Sequence, residues 1–154
     1  MDIKGTYTFD APIARVWELL MDPAAIAACI PGCQELSPLG EDRYRAVLIV
    51  PVAAITGNYT GTIAVADKVV LRSYRLMVEG SGRGGFVRGQ SSIALTDRGE
   101  QTIVTIDGHV QVGGLIARVG QRLLEGVSRM LMDQFYACLQ NKVGQSGAPT
   151  HERG

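Results

Sequence analysis

The 154-residue chain carries 15 basic against 15 acidic side chains, 46% apolar residues and a mean hydropathy of +0.12. That length and apolar share fit one domain with a sizeable core. The charge balance excludes a general electrostatic grip on nucleic acid, which needs a basic excess. Met1-Asp2-Ile3-Lys4-Gly5 is not a hydrophobic leader, no apolar run approaches a membrane span, and Cys29, Cys33 and Cys138 lack framework spacing. The expectation is therefore a cytoplasmic protein without a spanning helix or a disulfide scaffold.

Residues 3–9 alternate and predict a strand. Asp10 and Pro12 mark a helix start, after which Ile13, Val16, Trp17 and Leu20 recur on one helical face. Asp22-Pro23 starts a second helix, with Asp22 as its cap, and Pro31-Gly32 stops it early. From 42 to 111 the chain reads as strands divided by turn signals. Pro51 and Ala53-Ala54 separate 43–50 from 55–66. In the latter, Ile55, Gly57, Tyr59, Gly61, Ile63 and Val65 share a face opposite Thr56, Asn58, Thr60 and Thr62. Asp67-Lys68 predicts a tight turn into 69–80, where Tyr74, Leu76 and Val78 alternate with Arg75, Met77 and Glu79. Gly80–Gly85 turns into 86–96, and Asp97–Glu100 turns into 101–112, where Thr102, Val104, Ile106, Val110 and Val112 share a parity. Short connections between successive strands predict an antiparallel meander.

Gly113-Gly114 ends the sheet, and residues 115–142 predict the longest helix. Its apolar positions Ile116, Val119, Leu123, Leu124, Val127, Met130, Leu131, Phe135 and Cys138 span an arc of about 160°. Arg118, Arg122, Glu125 and Arg129 take the other side. The domain is expected over 1–143, with a polar, disordered tail over 144–154. The resulting fold class is α+β: a curved antiparallel sheet wrapped around a long C-terminal helix, with two short helices after the first strand.

Gly120 falls within the helix's apolar arc, and Gly57 and Gly61 fall on a strand's apolar face. Missing side-chain volume on both surfaces would leave an apolar space of the kind that holds ligands. The alternative is that these glycines allow sharp sheet curvature or close packing. Gly80-Ser81-Gly82-Arg83-Gly84-Gly85 has the spacing of a dinucleotide-binding turn, but a strand follows it where that motif needs a helix, so it reads as a hairpin. Cys29 and Cys33, with Cys138, His109 and His151, do not assemble a four-ligand metal site. No base is placed beside either cysteine for nucleophilic chemistry, and the pair reads as lying at the rim of a loop. Glu41, Asp42, Asp67, Glu79, Asp97 and Asp107 fall in turns or at outward parities, so no catalytic group is expected.

The stretch Phe9-Asp10-Ala11-Pro12-Ile13-Ala14-Arg15-Val16-Trp17-Glu18-Leu19-Leu20-Met21-Asp22-Pro23 resembles the opening of START-like, Bet v 1-like domains. Cys29-Ile30-Pro31-Gly32-Cys33, with Gly57, Tyr59 and Gly61 and with Gly113-Gly114-Leu115-Ile116-Ala117-Arg118-Val119-Gly120, resembles the CoxG family of carbon monoxide dehydrogenase subunits, over residues 2–142. The resemblance implies a helix-grip fold with an internal apolar cavity. It also implies a role beside a molybdenum-containing carbon monoxide dehydrogenase or a related hydroxylase, in attaching it to the membrane and handling its quinone acceptor. Such a protein would be a non-catalytic carrier of an isoprenoid quinone or lipid, with no covalent cofactor and no metal, touching the inner face of the membrane transiently. The short polar tail departs from longer family members, whose extension can reach the membrane.

Strand and helix parity nominates Trp17, Ile26, Tyr59, Ile63, Tyr74, Leu76 and Val78 as ligand contacts, together with Val104, Ile106, Ile116, Gly120, Leu123 and Val127. Cys29, Pro31, Gly32 and Cys33 are placed at the cavity entrance. Two other functions remain open. One is a cyclase or hydrolase of the same superfamily, using Tyr44, Tyr59 or Tyr74. The other is a ligand-free assembly factor whose contact surface is Arg72, Arg75, Arg83 and Arg88 with the Pro31-Gly32 loop.

Overall fold

The computed structural model describes residues 1–50 and 56–147, so Ile55 and the break expected at 51–54 lie outside it. Strand β1 (Asp2–Phe9) leads into helices α1 (Ile13–Leu20) and α2 (Pro23–Cys29). The alternation of β1 buries Phe9 completely, and α1 buries Val16, Leu19 and Leu20, which recur at helical spacing. The Asp22 side chain accepts from the Ala24 amide at 3.0 Å, and Pro23 opens α2 as expected.

Strands β2 (Cys33–Gly40), β3 (Arg43–Val50), β4 (Gly57–Val69), β5 (Ser73–Gly82), β6 (Gly85–Arg98) and β7 (Gln101–Gly113) complete one antiparallel sheet. Its order is β1-β7-β6-β5-β4-β3-β2. The meander is continuous from β2 to β7, and β1 closes against β7, pairing Tyr7 with Val104 and Gly5 with Ile106. β2 is absent from the sequence expectation. It is an edge strand with Pro38 in it and two register irregularities against β3, so no clean alternation marks it.

One turn falls elsewhere than the sequence suggests. Asp67 adopts φ +53° and forms part of a register irregularity within β4, so the chain reverses at 70–72. The glycine-rich stretch forms the expected hairpin, reversing at Arg83-Gly84 between paired Gly82 and Gly85.

The long helix also begins later than expected. Residues Gly114–Val119 form a 3₁₀ segment, Gly120 breaks the chain at φ +96°, and α3 runs Gln121–Gly147. A boundary at 143 therefore falls inside α3, and residues 148–154 lie outside the described residues. α3 packs through Leu124, Tyr136, Leu139 and Val143 and leaves Leu123 and Met130 over 40% exposed. The buried stripe is thus rotated from the expected arc. The polar edge of α3 caps the outer edge of β1. Arg129 donates to the Lys4 carbonyl at 3.1 Å and Gln140 to the Thr8 carbonyl at 2.8 Å.

The main core joins Phe9, Val16, Ile93, Val104, Tyr136 and Leu139, and each large apolar side chain buried there stabilises the fold by about 1.5–3 kcal/mol. Buried Thr102 donates to the Ala11 carbonyl at 2.8 Å and ties β7 to the turn before α1. Contrary to expectation, Cys29 of α2 and Cys138 of α3 form a disulfide, leaving Cys33 as the free thiol. The two positions are 109 residues apart in sequence, which is why spacing alone did not suggest the pairing.

Candidate functional site

The sheet curves away from α3 and leaves a cavity of about 360 Å³ between them, within the size range of small-molecule sites. Its walls come from every layer. The sheet supplies Tyr44, Leu48 and Val50 from β3, Ile63 and Val65 from β4, and Tyr74, Leu76 and Val78 from β5. Helix α3 supplies Leu131, Met132, Phe135 and Tyr136. The end of α1, α2 and the following turn supply Leu20, Met21, Pro23, Ile26, Ile30 and Pro31. Leu36 and Asp42 complete it from β2 and its hairpin. Among the described residues no lysine or arginine lines it. A second space of about 280 Å³ continues toward β6 and β7, sharing Leu76, Val78, Met132, Phe135 and Tyr136 with the first. Polar groups appear in its lining, with Gln90, Ser91, His109 and Ser128.

Ile63, Tyr74, Leu76 and Val78, nominated from strand alternation, line the cavity, and Ile26 and Pro31 also reach its wall. Ile106 lines the second space. Other nominated residues stand elsewhere. Trp17 is half-buried and packs against the core, edge-on to Tyr74 with ring centroids 5.8 Å apart, and lines neither space. Val104 is fully buried in that core. Tyr59 and Ile116 form a separate cluster with Leu124. Leu123 is 47% exposed, and Val127 is half-buried but lines neither space. Gly120 is no part of a helix face; it sits at the φ +96° break with open space where a side chain would project. Nor does Gly61 make room: a Cβ there would stand 2.0 Å from the Glu79 carbonyl oxygen, so this glycine lets β4 and β5 approach closely. Neither Gly61 nor Gly120 is among the residues that line the cavity.

At the expected entrance, Pro31 alone lines the wall. Cys29 is buried in its disulfide, and Gly32, at φ +78°, accepts from the Ile49 amide at 2.9 Å, fastening the loop to β3. Cys33 begins β2.

Aromatic contacts hold Tyr136 in the cavity wall. Tyr136 stacks on Tyr7 at 4.4 Å and meets Phe9 and Phe135 edge-on. Tyr7 in turn donates to Asp133 at 2.6 Å. Burial, helped by that acidic partner, raises the Tyr7 phenol pKa. Among the described residues no group of metal-ligating side chains assembles, and no helix is long and apolar enough to cross a membrane. Of the arginines proposed for a partner surface, Arg75 pairs with Asp67 at 3.2 Å, and Arg88 stands 3.9 Å from Glu79.

The sequence pattern of the carbon monoxide dehydrogenase subunit family CoxG matches residues 5–144. Among solved structures, a conserved protein from Geobacillus kaustophilus is 36% identical, with a TM-score of 0.93 over 95% of this chain and 97% of that one. A START superfamily protein from Mycobacterium smegmatis is 14% identical, with a TM-score of 0.76 over 94% and 97% of the two chains. The Zhui aromatase/cyclase from Streptomyces sp. R1128 is 16% identical, with a TM-score of 0.68 over 97% and 96%. The last two share the helix-grip fold. Among curated proteins none is significantly similar in sequence.

Proposed function

The chain belongs to the CoxG family of carbon monoxide dehydrogenase subunits, and on that premise we propose that it is a non-catalytic carrier of an isoprenoid quinone or lipid. It acts with a molybdenum-containing hydroxylase of the carbon monoxide dehydrogenase type, in membrane recruitment or in delivering electrons to quinone. Its place of work is the cytoplasm, at the inner face of the membrane. The observation that carries the reading is the apolar cavity of about 360 Å³ between the sheet and α3. An isoprenoid tail needs a dry pocket, and each CH₂ buried there stabilises the complex by about 0.8 kcal/mol. A quinone ring needs only a few polar contacts.

Native mass spectrometry of the purified protein, followed by solvent extraction, tests this. A stoichiometric isoprenoid quinone or lipid is expected. A protein that is empty and also refuses added quinone would contradict the carrier reading and favour a ligand-free assembly factor. In a reconstituted mixture of hydroxylase and quinone-bearing vesicles, the protein should raise the rate of quinone reduction.

A further inference from the structure

Tyr74 and Tyr136 are 4% and 5% exposed, yet neither hydroxyl has a hydrogen-bond partner among the described residues. A phenol buried in this way normally finds a partner. Both side chains line the cavity, and since neither hydroxyl is bonded or fully covered, each oxygen keeps some open space beside it. They come from opposite walls, Tyr74 from β5 and Tyr136 from α3. Both rings are held: Tyr74 by Trp17, Tyr136 by Tyr7, Phe9 and Phe135. Pre-positioned donors bind without the entropy cost of ordering two side chains.

We infer that the Tyr74 and Tyr136 hydroxyls are the polar recognition point of the cavity, donating to a carbonyl oxygen of an otherwise apolar, uncharged ligand. This rests on the carrier reading and names the ligand chemistry that the cavity selects. Burial raises the Tyr74 phenol pKa, and burial with Tyr74 and Tyr7 nearby raises that of Tyr136. Both therefore stay protonated at neutral pH and remain donors. A carboxylate would find no lysine or arginine among the described residues that line either space, His109 of the second space is already engaged with Asp2 at 3.0 Å, and Asp42 adds negative charge at the wall. Burying an unpaired charge is costly, so the site discriminates against free fatty acids. A pure hydrocarbon would leave both phenols unbonded. A ketone or quinone oxygen satisfies them and carries no charge.

The test uses the full chain and three probes with a common tail: decyl-1,4-benzoquinone, decylbenzene and undecanoate. Trp17 is the single tryptophan and contacts Tyr74 edge-on, so quenching of its fluorescence reports the quinone, and displacement of the quinone reports the other two. Wild type should bind the quinone at least about 10-fold more tightly than decylbenzene, and undecanoate most weakly. Tyr74→Phe and Tyr136→Phe should each weaken the quinone by about 3- to 10-fold, the range of one hydrogen bond. The double variant should bind the quinone and decylbenzene alike. Thermal melts of all variants should match wild type, since no protein partner is lost. Quinone binding unchanged in the double variant, or a preference for undecanoate, would overturn the inference while leaving the carrier reading standing. Failure of both the quinone and decylbenzene to bind wild type would overturn both.

Discussion

Reducing the Cys29–Cys138 disulfide should loosen the helix that roofs one side of the cavity. α2 contributes Pro23 and Ile26 to the wall, and the bridge fastens its last residue to the middle of α3. The two cysteines are 109 residues apart, and loop-closure entropy for that length is about 5 kcal/mol, with native bridges delivering about 2–4 kcal/mol. A domain of this size shifts its Tm by about 2–4 °C per kcal/mol. Reduction with tris(2-carboxyethyl)phosphine should therefore lower Tm by about 5–15 °C in circular-dichroism melts. Alkylation before reduction should block Cys33 alone, and all three cysteines should react after it. A Cys29→Ala, Cys138→Ala double variant should melt near the reduced protein and ignore the reductant. Three alkylated thiols in the aerobically purified protein, with a Tm indifferent to reductant, would refute the reasoning.

Leu76→Phe places a larger ring at the wall that the two spaces share; quinone affinity should fall by about 10-fold or more, at an overpacking cost of about 1–3 kcal/mol in urea unfolding. Gly120→Leu should leave affinity unchanged, because no atom lies within 4 Å of its Cβ position, but it should cost about 1–2 kcal/mol for a leucine at φ +96°. Thr102→Val removes the donor to the buried Ala11 carbonyl and should destabilise by about 1–3 kcal/mol in urea melts, without altering ligand binding.

Period-two patterning made β1, β4, β5 and β7 readable, because one face of each packs inward and the other meets water. The same parity put Ile63, Tyr74, Leu76 and Val78 on the cavity side. Period alone does not say how deep a residue sits, so it could not separate Trp17 and Val104, which line neither space, from Leu76, which lines both. The helix was harder to read. A continuous apolar arc ran through 116–120, but the φ +96° at Gly120 resets the phase, and Tyr136, Leu139 and Val143, none of them among the arc's positions, carry the packed stripe. Tyr136 and Phe135 carried a sequence signal, being two adjacent aromatics on an amphipathic helix, but only the tertiary contacts with Tyr7 and Phe9 show which of them ends buried. β2 and the disulfide depend on partners far along the chain, which local patterns do not encode.

The most direct test of the account is to label the cavity from within. An isoprenoid quinone bearing a diazirine on its tail should, on irradiation, attach to Ile63, Leu76, Met132 or Phe135, as read by peptide mass spectrometry. Attachment confined to exposed Leu115, Leu123 or Phe86, or none above a detergent-only control, would contradict an apolar ligand held between the sheet and α3.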